Sequence, residues 1–251
     1  MNESPRIWKA ALLVIGDEIL SGRTQDKNVA QVAAWLNVQG IRLSEVRVVA
    51  DDTAAIVAAV NALRAANDYL FTTGGIGPTH DDITAECVAK AFGVPIDYDP
   101  RAVALLQQRF KGPDLNEARM RMTRIPHGAD LVTNKASLAP GFWIGNVIVM
   151  AGVPAIMESM LLDVTQQLIT GARMNAVTIR IDRPEADIAD LFRTHQGEFP
   201  GVVMGSYPAF SEGQYRVELV LRSTDPQVLE AASHGLLTKL RAHGIEPLAH
   251  G

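Results

Sequence analysis

At 251 residues and 47% hydrophobic content, the chain is long enough for one large domain or for a large and a small one. Its charge is near balance at −5, with a pI near 5.7, so it lacks the basic stripe of a general nucleic-acid binder. The longest apolar runs, such as Val147-Ile148-Val149-Met150, are too short to cross a bilayer, and Met1 to Lys9 lacks the charged and apolar regions of a signal peptide. The single cysteine, Cys87, cannot form an internal disulfide, which fits a reducing cytoplasm, and it reads as a small packed residue of a helix from Ala85 to Phe92. Six scattered histidines show no zinc-ligand spacing.

Ala10 to Ile15 is a continuous apolar run of strand length, as expected for a strand covered on both faces. It runs into a loop, Gly16-Asp17-Glu18-Ile19-Leu20-Ser21-Gly22. Asn28 reads as the cap of a helix from Val29 to Val38 that closes at Gly40. A strand around Leu43 to Val49 follows, then Asp51-Asp52-Thr53, with both acids read as caps of an Ala-rich helix reaching Ala66. The alternation of strands and helices predicts a doubly wound parallel sheet, with the carboxyl ends of its strands along one edge.

Tyr69 to Thr73 is rich in strand formers and stops at Gly74-Gly75-Ile76-Gly77-Pro78, with a helix soon after. Glycines bring a ligand close to the backbone, and the amides of Gly74, Gly75 and Gly77 ahead of a helix start suit a phosphate. Asp81 and Asp82 sit where a phosphate would repel a carboxylate, and a divalent cation between them would resolve the conflict. Equally, Asp81, Asp82 and Glu86 can be ordinary helix-start acids opposing the dipole. The stretch is neither a dinucleotide fingerprint nor a P-loop. Asp17 and Glu18, at the same predicted edge, would add to an acidic cluster or serve as plain turn residues.

Asp99-Pro100 opens a helix from Arg101 to Phe110, and Asn116 to Met122 forms a shorter one. Arg119, Arg121 and Arg124 are candidates for ligand phosphates, for a partner subunit, or for a solvated face. Ile125-Pro126 breaks the pattern, Ala129 to Thr133 resumes it, and Asn134 to Trp143 reads as a loop turned at Ala139-Pro140-Gly141. The strand Asn146 to Met150 passes through Ala151-Gly152-Val153-Pro154 into a helix from Ala155 to about Thr170, a second anion-friendly start or a plain tight turn. The rhythm changes near Gly171, dividing a domain over 5–170 from one over 171–251. The second part reads as strand 176–181, helix 184–195, strands 202–206 and 215–222 with a turn at Ser211-Glu212-Gly213-Gln214, and helix 226–243. This is a KH-like α+β arrangement without a Gly-x-x-Gly loop, so RNA binding is not expected.

Three ordered motifs, Ile15 to Gly22, Thr73 to Thr84 and Ala139 to Phe142, resemble the molybdopterin-binding domain of MoaB/Mog type in the form found at the N-terminus of CinA, the competence/damage-inducible protein. A close variant of the Gly-rich motif also occurs in the hydrolase domain of eukaryotic FAD synthases. The resemblance implies a three-layer α/β/α fold with a mostly parallel sheet, homo-oligomeric assembly, a small KH-like domain, and a nucleotide or pterin phosphate bound at the Gly-rich loops. Ligand-binding residues carried over are Ser21, Gly22, Asn28, Thr73, Gly74, Gly75, Gly77, Thr84, Asn134, Pro140, Gly141 and Gly152. The implied chemistry is hydrolysis of an ADP-ribose or FAD-type pyrophosphate with Mg, Mn or Co. Asp17 and Asp82 are the metal ligands, and Asp17, Glu18, Asp81 and Asp82 the catalytic acids. Two departures stand out: Ala136 replaces a Gly after Asn134, and Ile156 replaces an acid. The second favours the alternative of pterin binding without hydrolysis; a third alternative is a regulatory scaffold whose small domain docks a partner. The amidohydrolase domain that follows in CinA lies beyond Gly251, so nicotinamide-nucleotide deamidation is not expected.

Overall fold

The computed structural model describes residues 7–211 and 214–250, and divides after Gly171 into two compact units. In the first unit, β1 (Trp8–Ile15), a four-residue helix α1 (Asp17–Leu20), α2 (Asn28–Val38), β2 (Ile41–Val49), α3 (Thr53–Ala66), β3 (Tyr69–Thr73) and α4 (Thr84–Phe92) follow in alternation. Then come β4 (Ile96–Tyr98), α5 (Pro100–Arg109), α6 (Glu117–Arg121), β5 (Arg124–Pro126), β6 (Asp130–Val132), β7 (Gly141–Ile144), β8 (Val147–Met150) and α7 (Pro154–Val164).

The main sheet runs β2-β1-β3-β8-β7-β6, parallel from β2 to β8 and antiparallel beyond. Strand β1 explains the three layers. Its Ala11, Leu13 and Ile15 pack with Ile56, Val60 and Leu63 of α3 and with Val88 of α4. Its Ala10, Leu12 and Val14 pack with Val32 and Leu36 of α2 and with Met157, Met160 and Leu161 of α7. A strand buried on both faces needs no polar alternation, which is why its sequence reads as an unbroken apolar run. The connections after β1 and after β2 lead to opposite sides of β1, so the strand order turns between β1 and β3. A crevice opens at such a switch point, at the carboxyl ends of the strands.

Three local readings are corrected. Residues 141–144, expected in a loop, form β7 because Gly141 lies so close to β8 that a Cβ there would stand 2.1 Å from the carbonyl oxygen of Val149. Asn28 does not cap α2: its Nδ2 donates to the carbonyl of Gly152 at 2.8 Å, while Asp26 Oδ1 accepts from the Val29 N–H at 2.8 Å. Asp52 caps α3 by accepting from the Ala55 N–H, but Asp51 turns away to accept from the Asp17 N–H at 2.9 Å.

The second unit contains β9 (Asn175–Ile181), α8 (Glu185–Glu198), β10 (Val203–Ser211), β11 (Gln214–Ser223), α9 (Pro226–Ala242) and β12 (Ala249–His250). Its antiparallel sheet runs β10-β11-β9-β12, and one face, with Ile179, Ile181, Val217, Leu219 and Leu221, buries Ile188 of α8 and Leu229, Leu236 and Leu240 of α9. The predicted turn at 211–214 includes residues 212 and 213, which lie outside the described residues. No helix among the described residues is long and apolar enough to cross a membrane.

Candidate functional site

The loop after β3 takes its shape from a backbone that no side chain could follow. Gly74 has φ 102°, and a Cβ there would fall 2.0 Å from the carbonyl oxygen of Ile15. Behind it, buried Thr84 at the start of α4 clamps the loop twice, its hydroxyl donating to the Gly74 carbonyl and its N–H to the Gly75 carbonyl, both at 3.0 Å. The Gly74 N–H was expected to face a phosphate; instead it donates to the Met150 carbonyl at 3.2 Å and prolongs the β3–β8 ladder. The N–H groups of Gly75, Ile76 and Gly77 have no hydrogen-bond partner among the described residues. They are the donors this loop leaves open.

Around the loop lies a cleft of about 610 Å³ at the carboxyl ends of β1, β3 and β8. The loop 74–78 and Asp82 form one wall, the loop 151–154 and Ile156 a second, and Glu18 stands at the β1 side. Glu18 also lines an adjoining pocket of about 260 Å³, shared with Asn28, Thr73 and Gly152. Asn28 Oδ1 and Thr73 Oγ1 are buried there without a hydrogen-bond partner.

The four predicted acids are not equivalent. Asp82 is half-buried, and its Oδ2 accepts from the Thr79 N–H at 2.8 Å and from the Thr79 hydroxyl at 2.5 Å. The Thr79 hydroxyl also lies close enough to the exposed Asp81 to hold that carboxyl below the usual carboxylate range. Asp17 is exposed, does not line the cleft, and is tied through its N–H to Asp51. Glu18 is exposed on the cleft with no ion-pair partner among the described residues. Asp51, absent from the sequence-derived site, is held above the usual carboxylate range by partial burial first, and then by the charges of Asp17, Glu18 and Asp81, although the hydrogen bond from Asp17 opposes the shift. These carboxylates feel one another, yet among the described residues no group of three His, Cys, Asp or Glu side chains is placed to hold an ion.

The other predicted residues divide between wall and framework. Gly75, Gly77 and Gly152 line the cleft, and Pro140 lines a notch beside it. Asn134 is buried in framework: its Oδ1 accepts from the Ser137 N–H at 2.7 Å and its Nδ2 donates to the Ala139 carbonyl at 2.7 Å, which fixes the loop that brings Ser137 and Ala139 to the cleft. Gly141 belongs to β7, and Gly22 is an exposed turn with φ 71°. Ser21 donates to the Glu18 carbonyl at 3.3 Å.

Sequence reasoning missed the wall built by the segment after α5, where Arg109, Phe110 and Met122 enter the cleft. Nothing in their spacing marks them, since they arrive there through the antiparallel β4–β5 pair. The arginine cluster was visible, but its members separate: Arg124 pairs with Glu86, and Arg119 donates to the Asp114 carbonyl while lying 4.2 Å from the Phe110 ring centroid.

Open main-chain donors beside a cleft at the switch point of a parallel sheet define a small-molecule-binding α/β domain. The family described as "probable molybdopterin binding domain" matches residues 11–171, and the one described as "FAD synthase, middle domain" matches residues 173–249. A CinA-like protein of Citrifermentans bemidjiense is 34% identical over 248 residues, covering 94% of this chain and 59% of that protein. A protein of Aeropyrum pernix is 30% identical over 262 residues, covering 99% of this chain and 96% of its own length. The crystal structure of CinA, of unknown function, from Thermoplasma acidophilum superposes with a TM-score of 0.61 at 32% identity, over 65% of this chain and 99% of that one. The chain belongs to the molybdopterin-binding domain family of MoaB/Mog type, in its CinA-like form. It spans 59% of the length of the CinA-like relatives it matches.

Proposed function

We propose that the chain hydrolyses the pyrophosphate bond of an ADP-ribose or FAD-type nucleotide. The observation that carries this reading is one cleft lined both by Gly75, Ile76 and Gly77, whose N–H groups have no partner among the described residues, and by Glu18 and Asp82. Main-chain donors attract a diphosphate and the carboxylates repel it, so the two coexist with a bound ligand only if positive charge accompanies it. Carboxylate oxygens suit a hard divalent cation such as Mg. Asp82 would hold it, with Asp17 and Asp81 adding negative potential from outside the cleft wall. When bound, such an ion supplies charge compensation and a lowered pKa for water.

The chain's own residues then do three things. The loop amides orient the phosphoryl oxygens. Asp82, held by Thr79, is fixed in place before the substrate arrives. Glu18, exposed and unpaired, takes the proton of the attacking water as the water oxygen bonds to phosphorus and the bridging oxygen leaves with the other phosphate. ADP-ribose and water thus give AMP and ribose 5-phosphate. The test incubates the protein with ADP-ribose, FAD or NAD and Mg, Mn or Co, and follows AMP. AMP is expected from at least one pair, with a loss of 100-fold or more in Glu18→Gln, in the range of a general base. No AMP from any pair, or full activity in both Glu18→Gln and Asp82→Asn, ends the proposal.

One observation favours a second reading, pterin binding without turnover. Ile156 forms part of the cleft wall, where the resemblance leads one to look for an acid, and an apolar wall suits a flat ring better than a metal. Pterin fluorescence that co-purifies with the protein, together with an absence of AMP, is its signature.

A further inference from the structure

Arg109, Arg119, Arg121 and Arg124 lie within one short segment, and three of them are committed. Arg109 donates to the Ala136 carbonyl at 3.0 Å, Arg119 to the Asp114 carbonyl, and Arg124 to Glu86. Arg121 makes no hydrogen bond or ion pair to any described residue. It is the last residue of α6, whose N-terminus is fixed by Asn116 accepting from the Arg119 N–H at 3.0 Å.

Arg121 helps to line a notch of about 20 Å³ shared with Gly75, Gly77, Asp82 and Pro140. That volume accommodates about one oxygen-sized atom. The acids nearest this notch do not compete for the arginine. Asp82 Oδ2 accepts from Thr79 with no ion pair to Arg121, and Glu86 pairs with Arg124. An arginine whose side chain has no partner among the described residues, lining one notch with Asp82, Glu86 and the glycines whose N–H groups are open, is arranged to receive an anionic oxygen from outside the protein.

The geometry points to Arg121 as the side chain that, with the amides of Gly75 and Gly77, seats a terminal phosphoryl oxygen of the ligand, the ligand class being a phosphate or diphosphate ester. A guanidinium fits this role because its planar fork can bond two phosphate oxygens at once, which a lysine cannot do. The assignment rests on the reading that the cleft takes a phosphorylated ligand, but not on hydrolysis. It makes Arg121 a binding residue, separate from Glu18, which does not line this notch.

The test is calorimetric titration of inorganic pyrophosphate and of the non-hydrolysable diphosphate α,β-methylene-ADP into the full chain with Mg present, comparing wild type with Arg121→Gln and Arg121→Lys. Arg121→Gln is expected to weaken both ligands tenfold or more and to flatten the salt dependence of binding, while Arg121→Lys recovers only part of the loss. Affinity within twofold of wild type in Arg121→Gln overturns the assignment. So does wild-type protein that binds neither anion. Arg121-dependent binding without any AMP formation leaves this inference standing and removes the hydrolytic one. AMP formation with an unchanged KM in Arg121→Gln does the reverse.

Discussion

The loops after β1 and after β3 leave neighbouring strands at the same edge, and both carry glycines and acids, yet they are built on opposite principles. In the β3 loop the carbonyls and the acid are tied down and only the donors stay open: Gly74 is jammed against Ile15, Thr84 clamps two carbonyls, and Asp82 is held by Thr79. In the β1 loop Gly22 sits in open space, Asp17 and Glu18 are exposed, and the ties to the β2 end run from main-chain N–H groups, Gly16 to the Val49 carbonyl and Asp17 to Asp51. The difference teaches that one loop is preorganised before a ligand arrives and the other carries uncompensated charge. A phosphate needs donors fixed in advance, because their ordering then costs nothing on binding. Carboxylates that meet a hydrated cation need no such precision.

The comparison breaks first at its glycines. Gly74→Ala adds a Cβ into backbone at a positive φ, and strain plus overpacking together should remove about 3 kcal/mol or more of unfolding free energy. Gly22→Ala, at φ 71° but with no atom within 4 Å of the new Cβ, should cost about 1 kcal/mol. Urea denaturation of the two variants reads the contrast directly, and equal losses would mean that the β3 loop is not the stiffer one.

Thr84→Val sharpens the same contrast without touching a glycine. The substitution keeps shape at a fully buried position and removes only the hydroxyl that satisfies the Gly74 carbonyl, leaving that acceptor orphaned. The expected cost is about 1–2 kcal/mol. Faster amide exchange should appear at Gly74 and at residue 84, whose N–H groups are bonded in this clamp, and not at residues 17–22, as followed by hydrogen-exchange mass spectrometry.

How much of this contrast the sequence discloses depends on the range of the interactions involved. The apolar run of β1 and the Gly-rich end of β3 are readable because burial on both faces and a tight turn each leave a local signature. The strand β7 is not, since Pro140 and Gly141 are turn formers by any local rule, and only the closeness of β8 makes a glycine suit a strand there. Asn28 shows the same limit, a good cap by type whose amide is drawn 124 residues along the chain to Gly152. The Gly-rich wall of the cleft is therefore visible from sequence. Its far wall, with Arg109, Phe110 and Met122, depends on an antiparallel β4–β5 pairing that the sequence does not advertise.

The smallest predicted effect concerns Asp51, the acid that joins the two loops' charge. Its folded-state carboxyl titrates above the unfolded value, with partial burial as the main cause and the charges of Asp17, Glu18 and Asp81 adding to it. Between the two pKa values the folded protein binds more protons than the unfolded chain, so stability falls as pH rises through that window and stays lower above it. Asp51→Asn removes the charge while its Oδ1 can still accept from the Asp17 N–H. The variant should therefore be more stable than wild type at pH 7, by no more than about 0.5 kcal/mol because solvent screens so exposed a group. Below the unfolded pKa of about 3.8 the advantage should vanish, as both forms are then uncharged. Paired urea melts of wild type and Asp51→Asn at pH 3.5 and pH 7 decide it. A gain that persists at acid pH would trace to packing and not to charge, and a loss at pH 7 would mean that the β1 loop needs the carboxylate itself.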